Sequence, residues 1–99
     1  MIVVSGEFVI KEENIARSTE AMIAMAAETA KEDGCIHYRF YQDIEHPTQF
    51  HVYEEWESAA HLKAHGESAH MQVFRAVLSE IPPVSRDVKM FEAGEAKKL

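Results

Sequence analysis

The sequence predicts an α+β fold, a four-stranded antiparallel sheet with helices packed on one of its faces. Three observations carry this expectation. Residues 35–41 and 50–56 alternate with a period of two and are separated by a turn. A stretch of helical period precedes them, and a second, interrupted helical stretch follows and stops at Pro82-Pro83.

Met1 to Ile10 is short and rich in β-branched residues, which suits a first strand. The charged run Lys11-Glu12-Glu13-Asn14 can open a helix. At ~100° per residue, Ile15, Ser18, Thr19, Met22, Met25, Ala26 and Thr29 share one face, opposite Glu13, Arg17, Glu20, Glu28 and Lys31. This predicts about five turns of helix, stopped near Asp33-Gly34, where glycine supplies a left-handed cap. Cys35 to Tyr41 then alternates, with Ile36, Tyr38 and Phe40 on one side and His37, Arg39 and Tyr41 on the other. A turn over Asp43 to Thr48 leads into Phe50 to Trp56, in which Phe50, Val52, Glu54 and Trp56 share a face. Ser58 is an N-cap for a helical region that Gly66-Glu67-Ser68 interrupts, and beyond it His70, Val73, Phe74, Val77 and Ile81 form a stripe. Two short helices and one kinked helix both satisfy that pattern. Val84 to Glu92 reads as the last strand. The order is that of the ferredoxin-like split β-α-β-β-α-β sandwich, here one domain over residues 1–93 with a short polar tail at 94–99.

Such a sheet leaves one face bare, and His37, Arg39, Tyr41, His51, Tyr53 and Glu55 fall on it. A half-polar, aromatic face on a chain of 99 residues predicts a covering partner, most simply a second copy in a homodimer. Ten basic against 17 acidic residues give a net charge of −7, and the basic residues do not cluster, so nucleic acid is not expected as a partner. No window approaches the ~20 apolar residues of a membrane helix, and no secretory signal is visible. One cysteine, Cys35, suits a reducing compartment and is expected to be an inert buried thiol. The cytoplasm is therefore the expected location.

Glu54 is the most informative residue, because alternation turns its carboxylate toward the helices, where it needs a partner. His65, Ser68 or His70, arriving from the interrupted helix, is expected to supply one, and an imidazole beside a desolvated carboxylate moves a pKa into a useful range. A structural contact pinning the helix break is the competing reading. Trp56 is either core or a flat wall for an aromatic ligand, and Tyr38, Phe50, Phe74, Met22 and Met25 are candidates for the same cavity. His61, His65 and His70 bring imidazoles toward the helix break, with Glu54 needed to complete a ligand set. Without a His-Glu-x-x-His pattern or a cysteine pair, no metal is expected.

Asp33-Gly34-Cys35-Ile36-x-Tyr38, then Phe50-x-Val52-Tyr53-Glu54-x-Trp56-x-Ser58, then His65-x-x-Ser68-x-His70-x-x-x-Phe74 together resemble the antibiotic biosynthesis monooxygenase family. Its members are small dimeric α+β barrel proteins and include quinol monooxygenases. The resemblance implies a ferredoxin-like protomer whose sheet packs on that of a second copy, with a cavity between sheet and helices. It also implies oxidation of a phenolic or quinol-type aromatic by molecular oxygen without flavin, haem or metal. The implied catalytic set is Glu54, His65 and Trp56, with Glu54 or a nearby histidine as base; Tyr38, Phe50, Val52, His70, Phe74 and Met22 form the implied substrate-binding set. Haem-degrading relatives carry an asparagine on the first strand, where this chain has Ser5-Gly6. An isomerase or other proton-transfer enzyme, and a non-catalytic small-molecule-binding or stress protein, are the alternative functions.

Overall fold

A computed structural model describes residues 1–99. The elements are β1 (Ile2–Val9), a single 3-10 turn (Glu12–Asn14), α1 (Ile15–Thr29), β2 (Cys35–Gln42), β3 (Gln49–Trp56), α2 (Ala59–Gly66), α3 (Ala69–Glu80) and β4 (Ser85–Glu92). The strands form one antiparallel sheet in the order β2-β3-β1-β4. The expected ferredoxin-like α+β architecture is therefore observed. No helix is long and apolar enough to cross a membrane.

β3 shows why the sheet forms where it does. Phe50, Val52, Glu54 and Trp56 are all buried, while Gln49, His51, Tyr53 and Glu55 between them are only half-buried. One-sided alternation of this kind fixes the register, since a slip of one residue would turn Trp56 to the open face. α1 answers with Ser18, Met22, Met25 and Thr29, spaced four, three and four apart and all buried. Thr29 tolerates burial because its hydroxyl donates to Met25 O at 2.7 Å.

Four expectations need correction. α1 ends at Thr29, about one turn before Gly34, because the chain tightens into i→i−3 bonds, Lys31 N to Glu28 O and Glu32 N to Thr29 O. Gly34, at φ +80°, sits instead in the turn that enters β2. Ile36 does not share a face with Tyr38: a β-bulge between Cys35 and His37 puts both Ile36 and His37 opposite Glu55, leaving Ile36 half exposed and turning Cys35 inward beside Trp56. Val73 is 66% exposed, so the apolar stripe of α3 is narrower than its period suggested. Of the two patterns open for the interrupted helix, two helices are found. Ser58 and Ser68 cap them, accepting from His61 N at 3.3 Å and Met71 N at 3.2 Å.

A side chain at Gly34 has no room. A Cβ there would lie 2.2 Å from His61 Cγ, and the left-handed backbone adds about 1–2 kcal/mol for any other residue. Gly34→Ala is expected to lower the urea midpoint clearly, and adding His61→Ala should recover only the part due to the clash. Full recovery in the double variant would show that the backbone conformation costs nothing.

The apolar core consists of two small clusters on the helix side of the sheet. One is Ile2, Val4 and Trp56, and the other is Ile10, Met22 and Phe50. Between sheet and helices lies a cavity of about 400 Å³ with walls drawn from both clusters.

Candidate functional site

Glu54 is 7% exposed and lines this cavity. Its place follows from β3, since Glu54 and Trp56 are i and i+2 on one face and are therefore neighbours whatever the helices do. The Trp56 indole Nε1–H donates to Glu54 Oε1 at 2.9 Å. Burial pushes the Glu54 carboxyl up to about 7. The Trp56 bond and the Arg86 guanidinium pull it down, and Glu32 adds a smaller upward push, so desolvation wins. Tyr38 pairs with Glu54 across the sheet, and burial, helped by nearby Glu54, raises its hydroxyl far beyond the usual range. It can donate a proton in a hydrogen bond but is no base.

The cavity wall is mainly apolar, with Tyr38, Val52, Phe74 and Met22 among the residues that the sequence pointed to. Trp56, Phe50, His65 and His70 do not line it. Trp56 is fully buried against Ile2 and Val4, and Phe50 packs with Ile10 and Met22. Trp56 therefore acts on the cavity through Glu54, by holding its carboxylate, rather than as a flat wall.

The expected bond from Glu54 to His65, Ser68 or His70 is absent. Trp56 takes the carboxylate from its own strand, and Ser68 caps α3 while donating to His65 O at 2.7 Å. Both histidines turn instead to Glu32, with His65 Nδ1 at 2.6 Å and His70 Nε2 at 2.9 Å from the same oxygen, Oε2. His61 does not join them; its Nδ1 is 2.7 Å from Ser58 Oγ and its Nε2 3.4 Å from Asp33. Glu32, His65 and His70 have ligand atoms within 4.8 Å of one another and are the residues able to hold a metal ion, in place of the His61, His65, His70 and Glu54 set. As they stand, the two ring N–H groups satisfy the carboxylate directly.

His65 is 2% exposed, and burial lowers its pKa despite the favourable Glu32 carboxylate. A neutral ring donating through Nδ1 leaves Nε2 as an acceptor, and that atom is buried without a partner. The ring lies 4.8 Å from Trp56 and 5.3 Å from Tyr38, centroid to centroid. A continuous wall thus runs from the cavity outward: Glu54, Trp56, His65, Glu32, His70. It ties the end of α1 to the α2–α3 junction and fixes the indole that holds the carboxylate.

Glu32, Ser18, Arg75 and Arg86 are site residues that the periodicity did not reveal. Glu32 lies beyond the end of α1 among charged neighbours, and only its position just before Asp33-Gly34 sets it apart. Ser18 is an ordinary member of the buried face of α1, yet its hydroxyl lines the cavity and has no partner.

The sheet order, the helix layer and an apolar cavity holding one buried acid define a small α+β protein with a ligand-sized site. Residues 1–77 match the profile described as antibiotic biosynthesis monooxygenase, and the chain belongs to that family. YcnE of Bacillus subtilis, provisionally named a monooxygenase, is 26% identical over 95 residues, covering 96% of this chain and all of that protein. An uncharacterised Synechocystis protein, sll1783, is 24% identical over 98 residues, 99% of this chain and 67% of its own. Among solved structures, a Deinococcus radiodurans protein provisionally described as an antibiotic biosynthesis monooxygenase superposes with TM-score 0.92 at 23% identity, covering 100% and 98% of the two chains. A conserved Methanosarcina mazei protein does so with TM-score 0.86 at 28% identity, covering 94% and 92%. The first of these likenesses supports the fold alone.

Proposed function

We propose that the protein is a cofactor-independent monooxygenase that oxidises a phenolic or quinol-type aromatic with molecular oxygen, with Glu54 as the base. The observation that carries this is a carboxyl pushed up to about 7 on the wall of an otherwise mainly apolar cavity. Near neutral pH such a group is ionised often enough to accept a proton and basic enough to keep it. Family membership and the monooxygenase names of relatives agree with the reading. The cavity wall contributes one carboxylate and no histidine or cysteine, which is no donor set for a metal.

Glu54 takes the phenolic proton, and the resulting aryloxide is electron-rich at its ortho and para carbons. One of these carbons, bearing a hydrogen, forms a bond to oxygen. Its own hydrogen then leaves as a proton, the O–O bond breaks, one oxygen atom stays as a quinone carbonyl and the other departs as water. One O₂ is consumed per ring, the ring loses the four electrons that oxygen gains, and no external reductant is needed. The protein's part is to bind the ring, move the proton and keep bulk water out. Trp56 holds the carboxylate, His65 backs Trp56, and Tyr38, Val52, Phe74 and Met22 contact the ring. Phe50 and His70 support that wall from behind.

The test is oxygen uptake over a panel of naphthols and naphthoquinols, with ¹⁸O₂ as the tracer. The expected result is one labelled oxygen in the product and one O₂ per turnover. Substrate rearrangement without oxygen uptake would favour an isomerase, and binding without turnover a carrier.

The same reading includes a homodimer in the cytoplasm. The open sheet face carries His37, Arg39, Tyr41, His51, Tyr53 and Glu55, already ordered by the Tyr53 to Glu55 hydrogen bond at 2.7 Å and the Ser5–His51 contact at 2.8 Å. Covering it with a second copy requires roughly 800 Å² or more per subunit. Sedimentation at micromolar concentration should give a dimer; a stable monomer would contradict the barrel assembly.

A further inference from the structure

We propose that the substrate carries a carboxylate on its hydroxylated ring system, which Arg75 and Arg86 bind at the mouth of the cavity. This deepens the reading above and rests on it for the reaction, though not for binding.

The chain has a net charge of −7, yet the only two solvent-exposed residues on the cavity wall are both arginines. Three other basic side chains find acids, Arg17 with Glu80, Lys31 with Glu28 and Lys89 with Asp87. Arg75 and Arg86 form no ion pair, and Arg86 meets a carboxylate only at longer range, where its charge pulls the Glu54 carboxyl down. Arg75 is instead anchored through Nη1, which donates to Gly66 O at 3.0 Å, so its remaining N–H groups are held in place but unused. The Arg86 side chain makes no hydrogen bond within the protein. Two cations at the entrance of an apolar cavity, set in an acidic surface, focus a positive field on that entrance. A guanidinium fork matches a planar carboxylate.

The register then sets the shape of the ligand. On the inner face of the sheet, Glu54 lies opposite Val4, and Arg86 opposite Phe8 on the other side of β1. The two Cα positions are therefore about 13 Å apart along the strands and about 10 Å across them, at ~3.3 Å per residue and ~4.8 Å per strand. Their long side chains both border the cavity and close part of that span. A ligand that meets both must carry its hydroxyl and its acid at opposite ends, as a two-ring hydroxy acid does. Ser18 provides a second polar contact within the apolar wall. Its buried, unpartnered hydroxyl lies one turn before Met22, which packs with Ile10 and Phe50 at the Phe8 end of the sheet. A buried hydroxyl without a partner is costly unless something else completes it, and a ligand oxygen would.

The probes are 6-hydroxy-2-naphthoate, its methyl ester and 2-naphthol, which share the rings and hydroxyl and differ in the acid. Calorimetric titration of the full-length protein at neutral pH should show the acid binding roughly tenfold or more tighter than the ester or the naphthol. Arg86→Gln and Arg75→Gln should each remove most of that preference, and Arg86→Lys should keep part of it. Raising salt from about 50 to about 500 mM should narrow the gap. Thermal melts confirm folding, and Arg75→Lys replaces Arg75→Gln if loss of the Gly66 contact unsettles the α2–α3 junction. Equal or tighter binding of the ester, or an acid preference that survives in both arginine variants, would overturn the proposal. The acid binding through the arginines with no oxygen uptake would sink the monooxygenase reading alone. Rapid oxidation of neutral quinols with no acid preference would sink this one alone.

Discussion

Glu54→Gln is expected to lower turnover by about 10²-fold or more while making the fold more stable above neutral pH, a combination that a merely structural residue does not give. Glutamine keeps the shape and still offers Trp56 an oxygen to accept its indole N–H, so the cavity should persist and ligand affinity should change little. It cannot accept the substrate proton. The stability change has the opposite sign to most core substitutions, for a reason that follows from proton linkage. The Glu54 carboxyl titrates near 4.5 in the unfolded chain and at about 7 in the fold. Between those values the folded state holds a proton that the unfolded state has released. The contribution of this group is therefore fully present below pH 4.5 and is lost as pH rises through 7, amounting to about 3 kcal/mol. The Gln variant is free of that loss, and its urea midpoint should exceed the wild type's at pH 8 and approach it at pH 5. His65 opposes this trend at lower pH. Its pKa is lowered by burial, so its contribution is present above the unfolded value and falls away as pH drops through the folded one.

Trp56→Ala should be the most destabilising single change near the site, by about 3–5 kcal/mol. The indole is fully buried and packs against Ile2, Val4 and the His65 ring. Trp56→Phe separates packing from hydrogen bonding. Phenylalanine fills much of the space but donates nothing, so Glu54 loses the one contact that favours its charged form most. Its carboxyl should rise above about 7, and the pH dependence of turnover should shift upward with it. Turnover in the folded Phe variant that follows the wild-type pH profile would show that the indole matters only as filling. Circular dichroism melts establish how much of each variant is folded before activity is compared.

The fold was largely legible because its signals are local. Alternation in 50–56, the spacing of Ser18, Met22, Met25 and Thr29, and the capping serine Ser58 each act within a few residues. The bulge at Ile36 was not, since a two-residue period assumes one residue per step on both strands. The site was legible in part. Glu54 on the inner face followed from parity alone, and its pairing with Trp56 was available from the same i, i+2 spacing. Glu32 was out of reach because its role depends on how the end of α1 meets the α2–α3 junction, a long-range contact that no periodicity encodes. Arg75 and Arg86 lie on different elements, and only the fold brings both to the rim of one cavity.

Glu54 serves as base only if burial tunes it as a proton acceptor, and its carboxyl can be titrated directly. With glutamate labelled by ¹³C at the carboxyl carbon, the resonance that disappears in Glu54→Gln belongs to this residue, and its shift followed from pH 3 to pH 9 reports its protonation. The expected midpoint is about 7. A midpoint at or below the ordinary 4.5 would mean a carboxylate already ionised and only weakly basic at neutral pH, and would contradict its assignment as the base.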